Sequence, residues 1–459
     1  MRPKLLLHQF LLGLILVGLQ PAMFVKSAAP TNPDSTKTPI QHLIVLMQEN
    51  HTFDNYFGMY PGADGLPTDV KMPVDPNDPN TKYIEPFYIG DQSISDLNHS
   101  SKTFMLQYND GKMDGFVYAL NQVKQDGRIS MGYYDGRDLP YYWNLADEFV
   151  LFDRFFSSAK GGSFENHFYW VSGGPPPDGN ASTAQDEYSK LVTIFDRLNE
   201  KGISWKFYVQ NYDPSITYRD LGNIGNRASQ VVWVPLLNIS RFIDDPELSK
   251  HIVDLSEYYT DLRDGTLPAV AYIAPSGASE HPPGSLQTGQ RFVKTLIQNL
   301  MRSDYWQNSA FMLLYDDWGG WFDHVNPPQV DEYGYGFRVP GILVSPYARR
   351  GYIDNTQLDF TSILKFIEEN WDVAPLTMRD TNANNFLEAF DFNQPPRKPY
   401  FISSTRDTST TTSTPRTIII YYAYGFALLI AFLVIGFAFF YRTAFKNASH
   451  NVSGPLNQG

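Results

Sequence analysis

Between residue 40 and about residue 395, short apolar runs alternate with amphipathic stretches of helical length. Uninterrupted apolar runs of this length are typical of strands that are buried on both faces of a sheet. The alternation therefore predicts an α/β fold with a largely parallel central sheet flanked by helices. The five predicted strands are HLIVLM (42–47), ISWKFYV (203–209), PAVAYIA (268–274), AFMLLY (310–315) and PGILVS (340–345).

The two ends of the chain predict a membrane-anchored protein. Residues 1–29 have a basic start and an apolar core, which is typical of a secretory signal peptide; the alternative is an uncleaved anchor. Residues 401–417 form a Ser/Thr-rich stalk, and the uncharged apolar stretch 418–441 predicts a transmembrane helix. With 442–459 as a short cytoplasmic tail, we expect a single-pass protein of the cell membrane whose main domain, 30–400, lies outside the cytoplasm.

Composition narrows the classes of partner and cofactor. The formal net charge is −13, and we find no run of Lys and Arg that could form a surface for nucleic acid, so none is expected as a partner. The chain has no cysteine, which excludes disulfides and thiolate metal sites. Any metal must therefore be held by oxygen and nitrogen. We infer nothing about the oligomeric state from the sequence.

Polar side chains follow three of the predicted strands. In open α/β sheets, ligands bind at the carboxyl ends of strands, so these side chains are expected to meet at one edge. Two adjacent carboxylates after a buried strand are costly unless a cation lies between them, which predicts a metal role for Asp316 and Asp317. The alternatives are capping or turn roles for the acidic and amide groups, and structural roles for the histidines. The residues are Glu49 and Asn50; Glu280 and His281; and Asp316, Asp317, Asp323 and His324.

A serine at a predicted helix start is the candidate nucleophile. In FFSSAKGGSFENHFYWVSGG, Gly161 and Gly162 allow a tight turn, and Ser163 then begins a helix that runs through FENHFYW. A hydroxyl at a helix N-terminus is well placed to accept a phosphoryl group, although a plain N-cap role explains Ser163 equally well. His99, in DLNHSSKTF, carries almost no signal by itself.

Five segments in this order resemble the phosphoesterase family of bacterial phospholipases C and related acid phosphatases, which has an alkaline-phosphatase-like fold. The resemblance covers roughly residues 40–395. It implies that Glu49, Asn50, Asp316 and Asp317 bind one or more divalent metal ions beside the nucleophile Ser163, and that His99, His281 and His324 line the phosphoryl pocket. The segments are HLIVLMQENHTFDNYFG, DLNHSSKTFMLQYNDGKMDGFV, FFSSAKGGSFENHFYWVSG, ASEHPPG and LLYDDWGGWFDHVNPP.

Two positions depart from the family pattern. The family commonly has Glu where this chain has Asp317, which shortens one ligand arm and leaves the identity of the metal open. It has a basic residue where this chain has His51, so a cation near the site is lost.

These residues together predict a hydrolase that acts on phosphate esters. We expect the metal to lower the pKa of the Ser163 hydroxyl, whose oxygen attacks phosphorus to form a phosphoserine that water hydrolyses. One histidine, His281 or His324, would protonate the leaving alcohol. The predicted substrates are phosphodiesters of the phospholipase C type, including phospholipids. The alternatives are an acid phosphatase that acts on monoesters and a catalytically silent cell-surface binding protein on the same scaffold.

Overall fold

The computed structural model describes residues 36–406, except 92–93, 178–185 and 221–228, together with isolated positions between 426 and 433. An eight-stranded sheet forms its centre, with the order β8–β2–β7–β6–β1–β5–β3–β4. Strand β7 runs antiparallel to β6 and β2, and the other neighbouring strands are parallel. The strands are β1 (His42–Gln48), β2 (Val150–Phe152), β3 (Trp205–Val209), β4 (Ile252–Asp254), β5 (Val270–Ala274), β6 (Ser309–Tyr315), β7 (Gly341–Val344) and β8 (Tyr352–Asp354).

Helices flank this sheet and connect most of its strands. In chain order they are α1 (Phe53–Phe57), α2 (Ser101–Tyr108), α3 (Phe116–Gln122), α4 (Pro140–Glu148), α5 (Ser163–Ser172), α6 (Asp186–Ser189), α7 (Ile194–Lys201), α8 (Ser229–Trp233), α9 (Ser240–Asp244), α10 (Pro246–Ser249), α11 (Ser256–Asp264), α12 (Leu286–Arg302), α13 (Phe360–Trp371) and α14 (Met378–Asn382). Two short ribbons, Met72–Pro73 with Tyr83–Ile84 and Phe87–Tyr88 with Gly132–Tyr133, lie outside the main sheet.

Strand β1 lies in the middle of the sheet, between β6 and β5. Its residues Leu43 to Met47 are at most 1% exposed, because both faces of the strand are covered. The apolar run ends where the strand ends, so the polar residues that follow it begin at the carboxyl edge of the sheet.

All five predicted strands are present, and the stretch from 240 to 265 is divided among several short elements. It forms α9, α10, strand β4 and α11. Pro246 has no N–H to continue α9, and the Asp245 side chain instead caps α10 by accepting from Glu247 N–H. Residues Ile252–Asp254 then pair with β3, where Phe207 lies opposite Ile252. Three-residue strands such as β2, β4 and β8 are too short to show a periodicity.

The prediction of a transmembrane helix over 418–441 is wrong, and the localisation that depended on it is corrected with it. Among the residues that the structure describes, none of the helices has both the length and the apolar character needed to cross a membrane. A bilayer requires about 20 apolar residues in continuous helix. The fold class supported is a mixed α/β fold with a central sheet flanked by helices. Most of 418–441, and the whole of 1–29 and 442–459, lie outside the described residues.

Candidate active site

The carboxyl ends of β1 and β6 bring together the four side chains that the sequence suggests as metal ligands. The two strands are parallel neighbours, so the residues that follow them lie side by side. The backbone N–H of Asn50 donates to Asp316 Oδ1 over 2.9 Å. We call this group the β1–β6 cluster: Glu49, Asn50, Asp316 and Asp317, each fully buried.

Glycine allows the loop after β6 to close over this cluster. Gly319 has a φ of 58°, and a Cβ at this position would lie 2.2 Å from the carbonyl oxygen of Asn50. Only glycine tolerates both the left-handed backbone and the close approach. The Gly319 N–H donates to Asp317 Oδ1 over 2.7 Å, which fixes that carboxylate against the loop.

Several oxygens of the β1–β6 cluster have no hydrogen-bond partner among the described residues, and this fits a cation. They are both carboxylate oxygens of Glu49, the Oδ1 of Asn50 and the Oδ2 of Asp316. Burial and the charges of Asp316 and Asp317 raise the pKa of Glu49 well above its usual range. Buried carboxylates without donors are costly unless a metal or another positive group compensates them. The chemistry of this donor set therefore suits a divalent metal ion.

Ser163 begins helix α5 directly beside the cluster. Its Oγ donates to Asp317 Oδ2 over 3.1 Å. The preceding turn is held by Asn166, whose Nδ2 donates to the carbonyls of Gly161 and Gly162 at 3.0 and 3.1 Å. The same helix is fixed to the sheet near its other end, where Trp170 stacks on Tyr272 of β5. The predicted helix start at Ser163 is confirmed.

Two of the three predicted histidines, His99 and His281, lie close together, and His99 lines a cleft with Ser163. The rings of His99 and His281 are 5.8 Å apart, and His99 Nε2 is 3.5 Å from Asn50 Nδ2. The Nδ1 of His99 bonds the Leu97 carbonyl over 2.7 Å, so its Nε2 faces the cluster. A cleft of about 410 Å³ opens over Ser163 and His99 and would admit a small phosphate ester.

A buried carboxylate anchors the loop that carries His281. Glu280 accepts hydrogen bonds from the hydroxyls of Tyr56, Tyr142 and Tyr315 at 2.6, 2.5 and 2.7 Å. Burial raises the pKa of Glu280 to about 7, although the three hydroxyls oppose that shift. His281 itself is fixed by a 2.7 Å contact of its Nδ1 with the Pro282 carbonyl.

His51, where the family pattern has a basic residue, is buried and uncharged. Its Nδ1 pairs with Asn55 Oδ1 over 2.7 Å, and its ring stacks on Tyr56. Burial lowers the pKa of His51 to about 3, so the ring carries no charge at neutral pH. It supplies no cation to the site.

The third predicted histidine, His324, lies in a different cluster. Its Nδ1 is 2.7 Å from Asp54 Oδ2, and its Nε2 is 3.4 Å from Asp64 Oδ1. The fully buried Arg338 donates to Asp54 and to Asp323, each over 2.9 Å. A guanidinium and backbone amides donate hydrogen bonds to these carboxylates. The cluster is therefore a structural ion-pair network rather than a cation site. The assignment of His324 to the phosphoryl pocket stays a prediction.

The contacts of His324 predict a pH dependence of stability. Burial alone would lower the pKa of His324, but the hydrogen bond to Asp54 and the charges of Asp54 and Asp323 raise it above the ordinary 6.5. The protonated ring therefore stabilises the folded protein fully below about pH 6.5, and this contribution is lost as the pH rises through the raised pKa. The difference in unfolding free energy between wild type and His324→Gln, measured by urea denaturation, should shrink between about pH 6 and pH 9. A difference that is constant over this range would contradict the assignment.

One residue that we did not single out from the sequence belongs to the site. His167 is 1% exposed, with Nδ1 2.8 Å from the carbonyl of Ser163 and Nε2 3.5 Å from Glu49 Oε1. Its Nδ1 is also 3.9 Å from Asp316 Oδ2. The sequence pattern that indicates His167 is its spacing from Ser163. Residues four apart on a helix share one face, and His167 follows Ser163 by four.

Comparison with known proteins gives a family and several relatives. The family model described as Phosphoesterase family matches residues 40–374, which include every strand of the main sheet, the β1–β6 cluster and Ser163. Phospholipase C B of Mycobacterium tuberculosis is 27% identical over 424 residues, covering 78% of this chain and 79% of that protein. Phospholipase C A of the same organism is 28% identical over 415 residues, with 78% of each chain covered. Non-specific phospholipase C1 of Arabidopsis thaliana is 28% identical over 414 residues, with 80% of this chain and 74% of that protein covered.

Proposed function

This chain belongs to the phosphoesterase family and is a hydrolase that acts on phosphoric ester bonds, and from this premise we propose that it cleaves phosphodiesters in the manner of a phospholipase C. The observation that carries the proposal is the position of Ser163. Its hydroxyl lies at the start of a ten-residue helix, in an open cleft, beside the β1–β6 cluster, where both oxygens of Glu49 and the Oδ2 of Asp316 have no donor among the described residues.

In the proposed reaction, Ser163 Oγ attacks phosphorus, and the bond from phosphorus to the leaving oxygen breaks. The hydrogen bond to Asp317 Oδ2 orients the hydroxyl and gives its proton a path away. His281 in its protonated form donates the proton on Nε2 to the leaving oxygen, which departs as the alcohol, while its Nδ1–H stays bonded to the Pro282 carbonyl. Water then breaks the bond between phosphorus and Oγ, returning a proton to each of Ser163 and His281 and releasing a phosphomonoester.

The remaining site residues hold the phosphoryl group. The backbone N–H groups at the N-terminus of α5 favour negative charge, and His99 faces the same cleft. A divalent cation held by Glu49, Asn50, Asp316 and Asp317 would supply positive charge beside the reacting oxygens, which a protein of net charge −13 otherwise lacks there.

The substrate class rests on the relatives. All three that we compared are named phospholipases C, which favours a phosphodiester whose leaving group is the lipid alcohol. A phosphomonoester fits the same chemistry, because only the phosphoryl group contacts the reacting residues. Comparing hydrolysis of a phosphodiester with that of a phosphomonoester separates the two substrate classes.

The test is hydrolysis of p-nitrophenyl phosphorylcholine and of p-nitrophenyl phosphate by the purified full chain, from about pH 4 to about pH 9. We expect turnover of the diester to exceed that of the monoester and to fall at least about 100-fold after dialysis against a chelator. Monoester turnover alone would make the protein a phosphatase. Absence of turnover on both substrates, in protein shown to be folded and metal-loaded, would refute the proposed activity and favour a binding role.

A further inference from the structure

We propose that His167 is a direct ligand of the cation in the β1–β6 cluster, and that the resulting mixture of nitrogen and oxygen ligands selects a divalent transition metal or zinc over magnesium and calcium. This inference rests on the proposed function and adds the metal class to it. It starts from three fully or almost fully buried side chains, Glu49, His167 and Asp316, which offer ligand atoms that all lie within 4.8 Å of one another.

The hydrogen bond of His167 to the backbone determines which ring nitrogen faces the cluster. Its Nδ1 is 2.8 Å from the carbonyl oxygen of Ser163. A carbonyl oxygen only accepts, so Nδ1 carries the proton, and in the neutral ring Nε2 has a free lone pair. That lone pair is directed at Glu49 Oε1, 3.5 Å away, which is itself without a partner in the described part of the chain.

Two lone pairs that face each other in a buried site repel, so a proton or a metal ion must lie between them. A charge-assisted hydrogen bond would bring nitrogen and oxygen to about 2.7–2.9 Å. Neighbouring ligands of one metal, each about 2.0–2.2 Å from it, are instead about 3.0–3.4 Å apart. The observed 3.5 Å is closer to the spacing of two ligands than to a hydrogen bond.

The ligand types then indicate the metal. Calcium takes six to eight oxygen ligands, and magnesium prefers octahedral oxygen with several waters. Imidazole is a good ligand for zinc, copper, iron and nickel, and carboxylates accompany it in many such sites. With no cysteine in the chain, softer thiolate sites are excluded, so His167 is the group that separates the two classes of metal.

The position of His167 also couples the metal to the nucleophile. Ser163 and His167 are one helical turn apart on α5, and the His167 ring bonds the Ser163 carbonyl. The ring is packed edge-on against Trp170, which in turn stacks on Tyr272 of the sheet. A metal bound to His167 would therefore hold the start of α5, and with it the Ser163 hydroxyl, against the β1–β6 cluster.

The experiment measures metal binding to the full chain after removal of metal with a chelator. Zn²⁺, Mn²⁺, Mg²⁺ and Ca²⁺ are titrated into wild type, His167→Gln and His251→Gln by calorimetry. His251 is a matched control, because its Nδ1 also bonds a backbone carbonyl, that of Trp205 at 2.9 Å, and its ring stacks on the same tryptophan far from the cluster. We expect His167→Gln to weaken Zn²⁺ binding at least about 100-fold while Mn²⁺, Mg²⁺ and Ca²⁺ binding changes little, and His251→Gln to bind as wild type.

A spectroscopic measurement on the wild type makes the test independent of how the variant folds. Cu²⁺-loaded wild type should show nitrogen hyperfine coupling by electron paramagnetic resonance, and the coupling should be lost in folded His167→Gln. Zn²⁺ affinity that survives in His167→Gln but is lost in Glu49→Gln, or wild type without nitrogen coupling, would overturn the His167 assignment and leave the metal-assisted function standing. A wild type that binds none of the four ions would overturn both.

Discussion

The Ser163→Ala variant is expected to hydrolyse the phosphodiester at least about 10⁴-fold more slowly than the wild type. The hydroxyl is the only part of Ser163 removed, and it is the oxygen that we assign to attack phosphorus. Because Ser163 is half-buried at a helix start and its Oγ makes one hydrogen bond, to Asp317, the fold should be retained. Turnover is measured under saturating substrate, with circular dichroism and thermal unfolding recorded on the same samples.

Ser172→Ala is the matched control for this loss. Ser172 ends the same helix, and its hydroxyl bonds only backbone carbonyls, those of Phe168 and Gly174. This variant should lose about 1 kcal/mol of stability and keep near-normal turnover at a temperature well below its unfolding transition. Near-normal turnover in Ser163→Ala instead would rule out the phosphoserine mechanism.

The second large effect is expected for Glu49→Gln. This change should raise the stability of the metal-free protein and lower the stability of the metal-loaded protein. In metal-free protein, burial and the neighbouring carboxylates make ionisation of Glu49 unfavourable, so replacing it with a neutral amide should raise the unfolding free energy by on the order of 1–3 kcal/mol. In metal-loaded protein, the weaker ligand should abolish most of the stabilisation that the ion provides and lower turnover about 10³-fold. Thermal unfolding with and without added Zn²⁺ measures both effects.

Glu257→Gln provides the comparison, because Glu257 is exposed on α11, away from the β1–β6 cluster. Its unfolding temperature should respond to Zn²⁺ as the wild type does. If Glu49→Gln is less stable than the wild type in the absence of metal, the carboxylates do not repel one another, and the cation site as described is incorrect.

Much of the site could be predicted because it is built from strand ends. β1 and β6 are apolar runs that stop at charged residues, and parallel strands place such ends at one edge of a sheet. Glu49, Asn50, Asp316 and Asp317 therefore meet as expected, and Ser163 follows a glycine turn to the same edge. The resemblance to the phosphoesterase family is confirmed by the match over residues 40–374.

One other prediction failed, and another stays open because it depends on contacts that are not local. The transmembrane helix rested on the apolar composition of 418–441, and among the residues described no helix meets the requirements of a membrane span. His324 follows β6 closely, yet its contacts are set by Asp54, 270 positions earlier in the chain, and by Arg338, 14 positions later.

The sequence by itself determined the α/β class, the five long strands and the polar residues at their ends, since the side-chain period and the length of an apolar run are local properties. Only the tertiary structure decided which of those polar groups find partners. Arg338 satisfies the carboxylates near His324, whereas the oxygens of Glu49 are left facing His167. That distinction depends on which strands become neighbours and on how α5 packs against the sheet, contacts between residues more than a hundred positions apart that no local pattern records.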